Sequence, residues 1–184
     1  MYEHIYHCGS ALSSRLELVR PKPLSQEESA CLFLDPFRDL GFTVPEPNRL
    51  MEVLLDLTGG LPQHLQYLGM RLAESLTPEA DDISLDDIVV AGKDLEYAHY
   101  LRAAFRNVDA SLQPVALRLL RMARTPFDAT TIKSAFREAN LAEPSLIAAA
   151  DVGDTLVIAN FLSWVGRGSY RVACPVMADC VQVG

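Results

Sequence analysis

The sequence has no run of 18 or more apolar residues, so no transmembrane helix and no membrane partner are expected. Its first residues, Met1-Tyr2-Glu3-His4, lack a basic stretch leading into an apolar one, so no signal peptide is expected. There is no C-x-x-C: Cys8, Cys31, Cys174 and Cys180 are scattered, which points to free thiols in a cytoplasmic protein. An excess of positive charge is also missing. Lys and Arg number 16 against 24 Asp and Glu, a net charge of −8. Proteins that hold DNA mainly through its phosphates need a positive footprint, and the chain as a whole lacks one. Internal repeats, a G-x-S-x-G elbow, a Ser/His/Asp or Cys/His arrangement and the EF-hand loop pattern are absent as well. The acidic pairs Asp81-Asp82 and Asp86-Asp87 therefore read as a solvated face.

What is present is the composition of a folded globular protein. The 184 residues are 49% hydrophobic and 22% charged, enough for one ordinary domain or two small ones. The charge is uneven. Residues 1–108 hold nine basic and 17 acidic side chains, whereas residues 109–184 hold seven of each. That shift places a boundary near Asn107-Val108-Asp109, giving a leading segment 1–24, a helical unit 25–108 and a second unit 109–184.

In the leading segment, residues 15–20 alternate like a short strand, which Pro21-Lys22-Pro23 ends. Ser25-Gln26-Glu27-Glu28 is a capping box that opens a helix. Pro36 is expected to interrupt or restart that helix before Gly41. Pro45-Glu46-Pro47-Asn48 reads as a loop. The next helix carries Leu50, Met51, Val53, Leu54, Leu55 and Leu57 and stops at Gly59-Gly60. Pro62 suits the first turn of a third helix with Leu65, Leu68, Met70, Leu72 and Leu76 on its apolar face. Residues 77–82 read as a loop. Ser84-Leu85-Asp86-Asp87 caps another helical stretch that runs through Tyr97, Tyr100, Leu101 and Phe105, with Gly92 as a candidate break. In the second unit Asp109, then Asp128 or Thr130, then Ser145 each start a helix. Residues 161–165 and 170–173 are β-prone on either side of the turn Gly166-Arg167-Gly168-Ser169. Three helices followed by a hairpin is the winged-helix order.

The stretch Pro23-Leu24-Ser25-Gln26-Glu27-Glu28, with Leu57-Thr58-Gly59-Gly60-Leu61-Pro62-Gln63-His64-Leu65-Gln66, resembles the helical lid of STAND/AAA+-type P-loop ATPases of the archaeal and bacterial subgroup, in which a winged helix follows. The resemblance covers roughly residues 15–184. It implies a mainly α fold, a small helical lid-type bundle followed by a winged-helix domain of three helices plus a β-hairpin. It also implies that Gly60 and Pro62 face a bound nucleotide near its base, with Arg71 as the nearest candidate for a sensor arginine. The catalytic half of the family has no counterpart here. No G-x-x-x-x-G-K-[ST] cradles phosphates, and no acidic residue ends an apolar strand to hold Mg²⁺. The chain alone is therefore expected to have no cofactor and not to be an enzyme. ATP or ADP and Mg²⁺ enter only if it joins a missing P-loop domain, which with another protein chain is the expected partner. The resemblance begins in mid-domain, as it would in a piece of a longer protein.

Two other constellations remain. His4, His7 and Cys8 form H-x-x-H-C, with ligand atoms suited to Zn²⁺ or Ni²⁺ but no evident fourth ligand, so no metal is expected. His64 and His99 are isolated and read as surface or satisfied core residues. As an alternative, the winged helix binds DNA. Residues 145–160, the helix that would enter the groove, hold Asp151, Asp154 and no Lys or Arg. Basic residues lie instead at Arg118, Arg121, Arg124, Lys133 and Arg137, and on the wing at Arg167 and Arg171. Those last two are the candidate phosphate contacts.

Overall fold

The computed structural model describes residues 22–77, 79–122 and 125–181. The strand read at residues 15–20, the cluster of His4, His7 and Cys8, and Arg124 lie outside the described residues. Within them the chain is mainly helical, with nine helices and one small antiparallel sheet.

Helix α1 (Gln26–Asp39) starts at the expected capping box. Ser25 Oγ accepts from the Glu28 N–H, and the Glu28 carboxylate accepts from the Ser25 N–H at 2.8 Å. The interruption expected at Pro36 does not occur, and the helix runs through it to Asp39. The proline ring is exposed and one turn from the helix end, so it removes a single ladder bond close to the terminus. Gly41 then closes the helix at φ 96°, with Phe42 N–H donating to the Phe37 carbonyl at 3.0 Å and Gly41 N–H to Arg38 at 2.9 Å.

Helix α2 (Pro47–Thr58) begins inside the stretch read as a loop, because Pro47 is preset for the first turn and its missing N–H is not needed there. It ends at Gly59, and α3 (Pro62–Ser75) follows. Leu65, Leu68 and Leu72 are fully buried, whereas Met70 is 46% exposed. At 100° per residue Met70 sits about 140° round the helix from Leu65, off the apolar face. A parallel bridge between Thr43 and Asp82 ties the loop after α1 to the loop before α4 (Leu85–Gly92), which starts from a second capping box of Ser84 and Asp87. The helical run breaks after Gly92 and resumes as α5 (Leu95–Arg106).

In the second half Asp109 caps a lead-in turn rather than the helix itself. Its side chain accepts from the Ser111 N–H at 2.8 Å and its carbonyl from Leu112 and Gln113. Helix α6 (Gln113–Met122) follows. Asp128 caps α7 (Ala129–Glu138), and Ser145 caps α8 (Leu146–Ile158). Strands β2 (Leu162–Gly166) and β3 (Ser169–Val172) form the expected hairpin. Its two central residues, Arg167 and Gly168, both have positive φ, which matches the twist of paired strands. A strand not foreseen from the sequence, β1 (Phe127–Asp128), pairs antiparallel with β3 through Phe127↔Tyr170 and Asp128↔Ser169, giving the order β1-β3-β2. Two residues carry no periodicity, so only the pairing reveals it. The short helix α9 (Met177–Cys180) packs against α5 and α6.

The apolar core runs unbroken through both halves, from Phe33 and Leu54 through Leu101, Phe105 and Val108 to Leu119, Leu156 and Tyr170. The link at residues 107–109 joins it through Val108, which is buried between the exposed Asn107 and Asp109. Among the described residues no helix is long and apolar enough to cross a membrane.

Candidate functional site

The site is built around the turn Thr58-Gly59-Gly60-Leu61-Pro62. Thr58 Oγ1 donates to the Leu54 carbonyl at 2.7 Å and accepts from the Gly60 N–H at 3.3 Å, folding the chain back at the end of α2. Gly59 and Gly60 have φ of 64° and 71°, where a side chain is strained. Space demands glycine as well. A Cβ on Gly60 would stand 2.8 Å from the Leu24 carbonyl, and one on Gly59 would overlap the Ala173 carbonyl outright.

Both sides of the turn are occupied by this chain's own backbone. Leu24 N–H donates to the Gly60 carbonyl at 2.8 Å. On the other side, the segment after β3 lies against Gly59. One residue before Thr58, the Leu57 carbonyl is among the last of α2 and lacks a helical partner. It accepts from Tyr97 Oη of α5 at 3.1 Å and from Cys174 Sγ at 3.0 Å. Burial pushes the Cys174 thiol up to about 12 and the Tyr97 phenol upward too, so both are neutral donors near neutral pH. The turn is therefore a joint that α5 and the tail of the hairpin grip together.

Of the residues that the resemblance singled out, Gly60 and Pro62 lie at this joint. Arg71 lies roughly 14 Å further along α3 at 1.5 Å per residue. Its Nε donates to Asp94 at 2.6 Å, and its other arm pairs with Glu74. The hydrogen bond between them holds the Asp94 carboxyl below its usual range and the Arg71 guanidinium above its own. Its charge is thus already engaged by two carboxylates.

Beside the turn, the start of α3 and the ends of α5 and α8 enclose a cleft of about 310 Å³, lined by Gln63, His64, Tyr100, Asn107, Asn160 and Phe161 among others. His64 corrects the expectation made for it. It is fully buried, yet neither imidazole nitrogen has a hydrogen-bond partner among the described residues. Burial pushes its pKa down to about 4, so the ring is neutral near pH 7. The ring stands edge-on to Tyr100 with centroids 5.4 Å apart, and Tyr100 stacks on Tyr67 at 4.2 Å. His99, by contrast, is exposed, 4.0 Å from Glu96. The only sequence signal for His64 is its place two residues after the Gly-Gly-Leu-Pro turn. One histidine in a leucine-rich helix has no ligand spacing, and the roles of Tyr97 and Cys174 depend on partners distant in the chain.

The candidate DNA contacts Arg167 and Arg171 are both exposed on the hairpin. On α7, Lys133 lies 3.5 Å from Glu143, and Arg137 pairs with the same carboxylate, so those two cations are neutralised locally. The outer face of α8 presents Leu146 at 55% and Ile147 at 79% exposure. Among the described residues no group of three or more His, Cys, Asp or Glu is placed to hold a metal ion. A comparison of the chain with protein-family models, and with curated proteins, finds no match in either.

Proposed function

We propose that this chain is the lid and winged-helix portion of a STAND/AAA+-type P-loop ATPase and acts as a cytoplasmic regulatory, protein-binding module. On this reading it is not itself an enzyme. ATP or ADP and Mg²⁺ bind only when a P-loop domain is supplied, and Gly60 and Pro62 then face the nucleotide. Arg71 would have to leave Asp94 and Glu74 to join them. The observation that carries the reading is the joint at Gly59-Gly60. A turn that touches residues 23–24 on one side and residues 173–174 on the other passes a displacement at the head of the lid directly to the hairpin unit. The order α6, β1, α7, α8, β2, β3 supports the winged-helix part, because a short first strand completes the sheet of the hairpin.

The face of α8 favours protein over DNA. An exposed Leu146 and Ile147 beside Asp151 offer apolar area and negative charge, not hydrogen-bond donors for base edges. Two measurements on the intact chain test this. An apolar-surface dye and light scattering should report dye binding or self-association that falls in the double variant Leu146→Ser, Ile147→Ser. A clean monomer without dye binding overturns the protein-binding reading. Duplex DNA at low salt should give no gel shift. A shift that weakens steeply with salt and is lost in Arg167→Ala, Arg171→Ala replaces it with the DNA-binding alternative.

A further inference from the structure

Helices α1 and α3 run side by side in the same direction. Leu24 meets Gly60 just before both begin, and the Phe33 ring lies against Gly69 further along. Between their outer faces is an open groove of about 380 Å³. Its reachable walls are Leu32, Pro36 and Leu40 on α1 and Gln66, Gly69 and Ala73 on α3. Leu40 is 75% exposed, and Met70, a helical neighbour of both Gln66 and Ala73, is 46% exposed. Gly69 is a residue that the chain's own packing does not explain. Glycine is the poorest helix former after proline, and this one sits mid-helix without a positive φ. Among the described residues a Cβ there would touch only the Phe33 ring, at 3.4 Å, an ordinary contact. What glycine does provide is a shallow wall that another backbone can approach closely. The charge beside the groove has one sign. Glu28, Leu32, Asp35 and Asp39 recur at i, i+4, i+7 and i+11, so three carboxylates edge the groove along α1. Among the described residues only Asp35 of the three has an ion-pair partner, Arg38 at 3.0 Å. On the α3 side Arg71 is held by Asp94 and Glu74.

We propose that the groove between α1 and α3 receives a basic amphipathic α-helix of another protein chain. Its apolar stripe lies against Leu32, Pro36, Leu40 and Gly69, and its Lys or Arg residues lie beside Glu28, Asp35 and Asp39. This surface is separate from that of α8 and stands independently of the functional reading above. The walls are helices whose backbone groups are bonded internally, so an extended strand would bury its own N–H and C=O groups unpaired, whereas a helix satisfies them itself. From Leu32 to Leu40 the groove runs about 12 Å at 1.5 Å per residue, or roughly two helical turns. At about 30 Å³ per water-sized group it holds roughly a dozen heavy atoms, as many as three leucine side chains carry. A second copy of this chain is the wrong partner for an acidic edge, because residues 1–108 hold nine basic against 17 acidic side chains. An anionic lipid surface is repelled for the same reason.

The test uses the full chain and a labelled, end-blocked helical peptide of about 15 residues, with leucines at i, i+4 and i+7 and lysines on both flanks. One control replaces every lysine by glutamate, and another shuffles the leucines off the stripe at unchanged composition. In fluorescence anisotropy the lysine peptide should bind saturably, at least about tenfold more tightly than either control. Ala73 is exposed on α3, so Ala73→Trp fills the groove and should abolish binding. Gly69→Ala should weaken binding at least about threefold while the thermal midpoint holds or rises, which separates the loss from a folding defect. Asp39→Lys should narrow the gap between the lysine and glutamate peptides. The double variant Leu146→Ser, Ile147→Ser should change none of this, which separates the groove from the α8 face. No saturable binding overturns the proposal. Equal binding of the shuffled peptide overturns the helix, and equal binding of the glutamate peptide overturns the basic flanks. Unchanged binding in both Ala73→Trp and Gly69→Ala overturns the location. A dimer of the chain that Ala73→Trp dissolves overturns the choice of partner in favour of a second copy.

Discussion

Two helices in the first half end at a glycine with positive φ, and the two turns could hardly differ more. Among the described residues a Cβ on Gly41 would meet nothing within 4 Å, and the glycine itself serves to stop α1. Around Gly59 and Gly60 there is backbone on both sides. The same backbone requirement therefore serves two purposes: one glycine satisfies a helix end, and the other lets two distant segments meet. A glycine after a helix says that the helix stops. Only its neighbours in space say whether the stop is also a joint.

Substitution at the two turns should separate these roles. Gly59→Ala combines left-handed strain with overlap against Ala173, and should cost about 4 kcal/mol in urea-induced unfolding. If it costs no more than alanine at Gly41, the contact with Ala173 is not what fixes the residue.

Acid should attack the joint and spare the other turn. The His64 pKa is depressed from 6.5 to about 4 on folding, so the unfolded chain binds the proton first. Stability is then full above about pH 6.5 and falls as pH drops toward 4, by about 3 kcal/mol in all. His64→Leu should flatten the pH dependence of the unfolding midpoint across that window. The carboxylates with lowered pKa values, Asp94 and Glu143, act in the same direction only at lower pH.

The shared acceptor at Leu57 gives a smaller and sharper effect. Tyr97→Phe and Cys174→Ala each remove one donor and leave the other in place, so each should cost about 1 kcal/mol. Together they leave a buried carbonyl bare, and the pair should cost about 3 kcal/mol, more than the sum. Simple additivity in the double-mutant cycle would show that the carbonyl finds another partner. The smallest effect is expected at the open turn, where Gly41→Ala should cost about 1 kcal/mol from backbone strain alone.

The same contrast explains what was legible in the sequence. Ser25 with Glu28, Ser84 with Asp87, Asp128, Ser145, Pro62 and the Arg167-Gly168 turn all announce their elements, because each acts within four residues. Pro36 misled, since a proline near an exposed helix end costs one bond rather than the helix. Strand β1 was invisible because two residues have no pattern and exist as a strand only through β3. At the site, the Gly-Gly-Leu-Pro turn was readable as a special place, but its grip on Ala173 was not. The burial of His64 was equally hidden, because nothing local marks a histidine whose surroundings are assembled from α5 and α8.

The thiol that grips the joint also makes it observable. Cys31 is exposed on α1, whereas Cys174 is buried with its pKa pushed up to about 12, so it has almost no thiolate to react. An alkylating reagent read out peptide by peptide should label Cys31 first, because it is open to solvent, and Cys174 only when the two halves part. The chain thus carries its own clock for that opening, with a reference hand on the surface and a slow hand in the hinge.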